Sequence, residues 1–528
     1  MTTRGNEKVK EMVDEQRLNQ SNSIYWASGI VSICGIIFEV LFGALGSYIL
    51  GDGVKQYTLT ISLFLTGMGI GAFISERITK KLVLSFIWIE YSIGLIGGFS
   101  AFLLFGVTAY LPEGTDALFL YGVTLIVGTL TGVELPVLIR KANEIGVALH
   151  KSTAKVLFSD YAGGLIGGLL FLFLLRPYFG LVKTAFIVAA INIMMALWIA
   201  VKFRHELTRY RLHLGAGIIF LIVIVAGILV GEEAAFHFEQ KLYKDPIIYS
   251  EQTTYQQIVL TREEGDTRLY LDGQLQFSSA DEHRYHETLI HPTMATSQQK
   301  KRILVLGGGD GLAVRELLKY KEVSEITLVD LDPQVVKLAT TNHFLVDLNE
   351  GSLENEKVTI VHQDAFRFME QANGFYDVVI VDLPDPNNES LNKLYTMEFY
   401  SLLRNHLSPD GAMVVQATSP VFAPEVYWTI DRTIASTGLQ TENLHVDIPS
   451  FGGWGFVLAS RQSIDLEKLE IQSNTRYLTT DLLPALSQFG KDEDAQIEGK
   501  GGKVKQIEPN TLIRPNLIEV YEKSWRYY

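Results

Sequence analysis

LVLGGGDGLAV, residues 304–314, decides the fold of the second half of the chain. A short run of branched apolar residues enters a glycine turn and leaves as LAVRELLKY, which predicts a strand, a tight turn and a helix. EITLVDLD (325–332), VTIVHQDA (358–365), YDVVIVDLPDP (376–386) and GAMVVQAT (411–418) continue the alternation, so a doubly wound α/β sheet is expected. Ligands of such sheets bind at the carboxyl ends of the strands, and Asp310, Asp330, Asp364, Asp382 and Asp385 all fall there. The turn lacks the full dinucleotide pattern, because Leu312 stands where the third glycine belongs. Asp310 poses a question of its own. A glycine loop before a helix favours negative ligands, so a carboxylate in it either caps the helix or faces something positive. Asp330 suits a ribose hydroxyl in either a nicotinamide or an adenosyl-sulfonium site, and Asp382 alone could simply begin a turn before Pro384.

Outward from this loop the character changes. YQQIVLTREEGDTRLYLDGQLQF (255–277) predicts short antiparallel strands, a small β-domain forming one wall of the site. Before it, apolar stretches at 24–50, 57–76, 82–111, 117–139, 156–175, 181–201 and 213–231 are mostly long enough to cross about 30 Å of hydrocarbon, which predicts a helical multi-pass membrane domain of seven spans. The expected division is a cytosolic tail (1–22), a transmembrane domain (23–231), the β-domain (245–292), the doubly wound domain (293–465) and a C-terminal helical extension (466–528). Net charge is −14 at 528 residues, with no clustered Lys and Arg, which argues against nucleic acid as a partner. The one cysteine, Cys34, excludes a disulfide framework and a cysteine-rich metal site.

The stretches YLDGQLQFSSADEHRYHETLIHP (270–292), ILVLGGGDG (303–311), VDLPDP (381–386) with LYTMEFY (394–400), and FGGWGFVLAS (451–460) resemble, in order and spacing, the signatures of the polyamine aminopropyltransferases, the spermidine synthase family. SYILGDGVKQYTLTISLFLTGMGIGAF (47–73) and GVELPVLIRK (132–141) are similar to the membrane domain carried by a bacterial subset of that family. The resemblance implies a Rossmann-like domain of the class I S-adenosylmethionine type. It implies transfer of an aminopropyl group from decarboxylated S-adenosylmethionine, a co-substrate and not a resident cofactor, to putrescine or a related amine, with release of methylthioadenosine and without a metal. A homodimer or higher homo-oligomer and a lipid bilayer are the expected partners.

By the same resemblance Gln256 contacts the nucleoside, Asp330 the ribose hydroxyls and Asp364 the adenine amino group. Gly307, Gly309 and Ala365 complete the donor site. Asp310 faces the aminopropyl ammonium, which makes the ligand positive. Tyr285 and His286 lie beside the amine, Asp382 accepts its proton, Asp385 is the second carboxylate holding the acceptor, and Gln276 is a further amine contact. The chain departs from the family where DPNNESLNKLY replaces the usual Gly-Pro turn, where Leu383 and Pro384 separate the two acids, and where Asp330 replaces the common Glu. Two other functions stay open: a methyltransferase using the intact donor, which these acids oppose, and a polyamine transporter or sensor with a binding-only soluble half.

The apolar half also carries Glu39, Glu90, Glu134 and Asp160, which line a functional path or, for the last two, pair with Arg140 or Lys155 near the membrane ends. GGLIGG (163–168) predicts close helix packing. Lys and Arg in successive polar segments number four, one, three, none, four, two and four, which places the N-terminus in the cytosol. Seven spans then put the catalytic half outside; because the donor is expected to be made in the cytosol, the expectation is instead a cell-membrane protein with a cytosol-facing catalytic domain and a re-entrant segment within 156–201, around Arg176-Pro177.

Overall fold

A computed structural model describes residues 2–51, 53–112, 114–493 and 507–525. They form two compact units, Met1–Lys244 and Asp245–Tyr528.

The first unit is all helical: α1 (Thr2–Leu50), α2 (Gly53–Ile74), α3 (Leu82–Tyr110), α4 (Thr115–Glu144), α5 (Leu149–Leu170), α6 (Arg176–Lys202) and α7 (Tyr210–Leu242). The predicted tail is no separate element, since α1 runs through it. Six helical stretches are long and apolar enough to cross a membrane by length and composition. One of them, His150–Lys202, has 53 residues and would extend about 80 Å if straight. It is not straight. A π turn occupies Phe171–Leu175, and Gly180, at φ 63° and ψ −171°, breaks the helix where a side chain would be strained.

The contacts show that the chain reverses there. Ser28 and Ser32 of α1 donate to the carbonyls of Val156 and Asp160 at 3.2 and 2.6 Å, so α5 runs parallel to α1. Gly97 of α3 lies against Phe38, and Phe105 against Tyr48, so α3 is parallel to α1 as well. Gly94 meets Ile193 whereas Gly98 meets Phe186, which makes α6 antiparallel to α3. The same reasoning turns α2 and α4 against α1, through Gly43–Tyr57, Gly46–Gln56, Gly35–Thr131 and Gly46–Leu120, and aligns α7 with α3 through Tyr91–His213 and Gly106–Phe238. Successive helices therefore alternate in direction, and the 156–201 region is two full antiparallel legs, not a re-entrant loop. The basic connections 75–81, 140–155 and 202–211 all fall at the end where α1 begins.

GGLIGG packs as its pattern predicts. A Cβ on Gly163 would come within 2.2 Å of the Gly29 carbonyl oxygen, and one on Gly167 within 2.6 Å of that of Ile33, so only glycine permits this α1–α5 approach. Glu90 and Glu134 are buried in the core of the bundle. Each is the other's neighbour, yet neither oxygen of Glu90 meets a hydrogen-bond donor in good geometry. The expected ion pairs with Arg140 and Lys155 do not form among the described residues: Arg140 donates to the carbonyls of Ser75 and Ile78, and Lys155 lies over the Tyr25 ring.

The second unit opens with four antiparallel strands, β1 (Ile247–Gln252), β2 (Gln257–Glu263), β3 (Asp266–Leu271) and β4 (Gln274–Ser278), with Glu264 and Gly265 at positive φ in the expected turn. Helix α8 (Glu282–Thr296) leads to β5 (Arg302–Gly307), α9 (Leu312–Leu318), β6 (Glu325–Asp330), β7 (Val358–His362), β8 (Tyr376–Asp382), β9 (Leu407–Gln416), β10 (Gln440–Ile448) and β11 (Gly452–Ser460). These strands form one sheet of order β10-β11-β9-β8-β5-β6-β7. Five strands are parallel, and β11 and β10 add an antiparallel edge, so the sheet is mixed. Its order reverses between β5 and β8, the place where open sheets bind ligands.

Candidate active site

At that switch point Gly307 and Asp382 are paired neighbours at the ends of β5 and β8. A Cβ on Gly307, whose φ is 82°, would approach the Asp382 carbonyl oxygen to 2.0 Å, and one on Gly309 would meet Asp330 Oδ2 at 2.5 Å. The glycines let the loop close down on both acids. Asp330 fills the space so made: it accepts from the Gly309 and Asp332 backbone N–H groups at 3.0 and 2.9 Å. Burial nevertheless pushes its pKa up to about 6.

Asp310 makes the helix-start contact that its sequence context allows. Its Oδ1 accepts the Leu312 N–H at 2.9 Å, a helix-start bond, and its carbonyl is held by Asn349 at 2.9 Å. It also belongs to a charged group with His286 and Asp382, and burial raises its carboxyl pKa against the opposing pull of His286. Asp382 has its Oδ1 clamped by the Tyr285 hydroxyl at 2.6 Å. Burial lifts it to about 6; His286 and Tyr285 oppose the rise and Asp310 adds to it.

His286 is held from behind. Glu282, one helical turn earlier on α8, accepts from its Nδ1 at 2.8 Å. Burial disfavours the imidazolium, but Glu282, Asp310 and Asp382 outweigh it and raise the pKa. Arg315 grips Glu282 through two nitrogens at 3.0 and 2.9 Å and also pairs with Glu316 at 3.0 Å; Glu316 continues to His291 at 3.0 Å. Despite complete burial, Glu282 is held at about 2 by His286 and Arg315, and Glu316 at about 2 by its hydrogen bonds with His291 and Lys319 and by the charge of Arg315. Sequence reasoning missed this chain, although Glu282 lies within DEHRYHE and spaces one turn from His286.

Asp385, buried, accepts from Gln416, Thr418 and Tyr521. Tyr395 donates to the Leu383 and Pro384 carbonyls, and Trp454 donates to Gln416, so the second acid is set in a polar cage. Asp364 caps the helix Ala365–Gln371 through the Arg367 N–H and pairs with Lys393 at 2.6 Å, a partner sequence reasoning did not anticipate. Gln256 is not on an acid predicted for the site but on Asp332, at 3.2 Å; Asp332 also takes Thr253 at 2.7 Å and so ties the loop before β2 to the strand end. Gln276 donates to the Gln274 carbonyl of its own strand, and no contact joins it to the cleft acids. No group of three or more metal-ligating side chains occurs among the described residues.

A Rossmann-like domain whose strand ends carry four acids and one buried histidine is the class that this fold and cleft define. A spermine/spermidine synthase domain model matches residues 282–468. The chain is 63% identical to a polyamine aminopropyltransferase of Oceanobacillus iheyensis, over 98% of this chain and all of the relative, and 39% identical to one of Leptospira interrogans, over 95% and 98%. A solved spermidine synthase in complex with the transition-state analogue AdoDATO aligns at 25% identity, covering 46% of this chain and 86% of its own, with a TM-score of 0.44. The chain belongs to the polyamine aminopropyltransferase family.

Proposed function

We propose that this aminopropyltransferase takes decarboxylated S-adenosylmethionine as donor and putrescine or a related diamine as acceptor. The observation that carries this reading is the pair Asp310 and Asp382 set against His286, with the buried Asp385 three residues beyond Asp382, an arrangement that suits cations at both substrate ends. At an effective dielectric of about 20, unit charges roughly 4 Å apart interact by about 4 kcal/mol, so a donor bearing an ammonium is favoured over one whose added carboxylate would meet Asp310. The same charge argument opposes a methyltransferase.

The acceptor nitrogen attacks the carbon beside the sulfonium. A C–N bond forms as the C–S bond breaks, methylthioadenosine leaves, and the amine proton passes to Asp382. An amine of ordinary pKa near 10.4 needs roughly 5 kcal/mol to lose that proton at pH 7. A carboxylate near 6 is a better acceptor than one near 3.9, and the Tyr285 clamp fixes which oxygen is engaged. Gly309, Asp330 and Asp364 suit the nucleoside, with Lys393 holding Asp364 in place. Purified protein given intact or decarboxylated donor with putrescine should release methylthioadenosine only with the latter; release with the intact donor alone would overturn the assignment.

We propose further that the first unit is a multi-pass membrane domain with its basic end in the cytosol. With alternating legs of odd number, the chain then leaves α7 on the opposite side from α1's start, which favours an outward-facing catalytic unit over the cytosolic one that the donor's origin suggests.

A further inference from the structure

Asp385 carries three uncharged donors. Gln416 reaches Oδ1 at 3.2 Å, Thr418 reaches Oδ2 at 2.8 Å, and the Tyr521 hydroxyl reaches Oδ2 at 3.1 Å. The first two stand at or just beyond the end of β9. Tyr521 arrives from 136 residues away, on the C-terminal helix Leu517–Trp525, outside the stretch 282–468 that the family model matches.

The arm that brings it is firmly seated. Asn510 is fully buried; its amide donates to Asn392 Oδ1 and the Tyr395 carbonyl at 3.0 and 2.9 Å, and its carbonyl accepts the Met397 N–H at 2.9 Å. Leu517 is fully buried with the Leu394, Phe399 and Val426 cluster. Tyr521 is thus a wall of the site and not a passing contact. A carboxylate offers about four lone-pair positions, two on each oxygen. Thr418 and Tyr521 fill Oδ2, so among the described residues Oδ1 keeps one position open.

We propose that Tyr521 is a positioning residue that sets acceptor length: by occupying Oδ2 it leaves Asp385 a single direction in which to receive an ammonium N–H. The inference rests on the diamine reading above. With one amine end at Asp382 and the other confined to Asp385 Oδ1, only a chain of matching span places its free nitrogen for attack. Freed of the hydroxyl, Oδ2 offers a second berth, and chains of other lengths are accommodated.

The test uses the full-length protein in detergent, the decarboxylated donor, and 1,3-diaminopropane, putrescine and cadaverine as acceptors, with kcat and KM measured for each. Tyr521→Phe keeps the ring and its packing, and a melting curve alongside registers any loss of fold. The expected result is a fall of about tenfold in the kcat/KM ratio of best to next-best diamine, carried by KM more than by kcat. Tyr521→Ala should lower the ratio at least as far. An unchanged ratio, or an equal loss of kcat with all three amines, would overturn the proposal while leaving the diamine reading intact. Failure of the wild type to use any of the three would remove the diamine reading, and this inference with it.

Discussion

The Tyr285 hydroxyl donates to Asp382 Oδ1 at 2.6 Å from one turn inside α8. The bond joins the helix that follows the small sheet to the end of β8 and engages one oxygen of the acid. On the reaction proposed above, the other oxygen, Oδ2, is the one that would meet the amine proton.

Asp382→Asn should fold normally and bind donor, because Asn keeps an acceptor for Tyr285, while kcat falls by about two to four orders of magnitude. Steady-state kinetics with donor affinity by calorimetry check both parts. Turnover within about threefold of wild type would remove Asp382 from the chemistry.

The pH profile has a definite sign. In the proposed reaction Asp382 acts as the carboxylate, and burial raises its folded pKa to about 6. kcat/KM should therefore climb through an acid limb near pH 6 and flatten above it. In stability the same acid acts the other way: its folded pKa lies above the ordinary value, so its contribution is fully present below the usual carboxyl range and is lost as pH rises through about 6. Activity and stability should cross over in this window, measurable by initial rates and melting temperature in the same buffers.

Asp310→Asn should weaken the decarboxylated donor and narrow its advantage over the intact one, since a carboxylate on the ligand no longer meets a like charge. Isothermal titration with both donors gives the ratio directly; a ratio equal to that of wild type would contradict the electrostatic role of the loop.

Glu282→Gln leaves His286 buried without its anion and Arg315 with Glu316 alone, and loss of one member of a buried pair costs about 3–5 kcal/mol. A lowered denaturation midpoint is expected at neutral pH. Because Glu282 is held at about 2, its contribution is present above the ordinary carboxyl range and lost as pH falls through about 2, so the difference from wild type should narrow on acidification. The pKa of His286 should drop as well, visible in its imidazole proton resonance.

Membrane sidedness is testable with one thiol. Ser324 is exposed, whereas Cys34 is buried. A Ser324→Cys variant on a Cys34→Ala background should react with a membrane-impermeant thiol reagent in intact cells. Labelling only after lysis would place the catalytic unit in the cytosol.

The loop, the parallel strands and the acids at their ends were legible because each is a local pattern: apolar runs of strand length, glycines where a backbone must approach, an acid one residue past a strand. The mixed edge was not, since GAMVVQAT and FGGWGFVLAS read alike whichever way they run. Arg176-Pro177 drew attention to the right region, but the break sits at Gly180, where only the backbone angle reveals it. The partners of Asp385 lie 31, 33 and 136 residues away, and Arg315 lies 33 from Glu282, distances over which no periodicity speaks. Asp332 was not singled out from the sequence, yet it is the residue that receives Gln256.

The reversal at Gly180 reaches beyond helix counting. On the membrane reading proposed above, it makes the number of crossings odd, so a cell's interior-negative voltage would act on the two ends of the chain in opposite senses. Each positive charge carried across such a membrane is worth about 2.3 kcal/mol per 100 mV. A polyamine finished on the outer face would be drawn inward by that voltage, one elongation step adding one more charge to the pull; finished on the inner face, it would be retained by it. One glycine's backbone angle thus bears on whether the voltage imports the product or traps it.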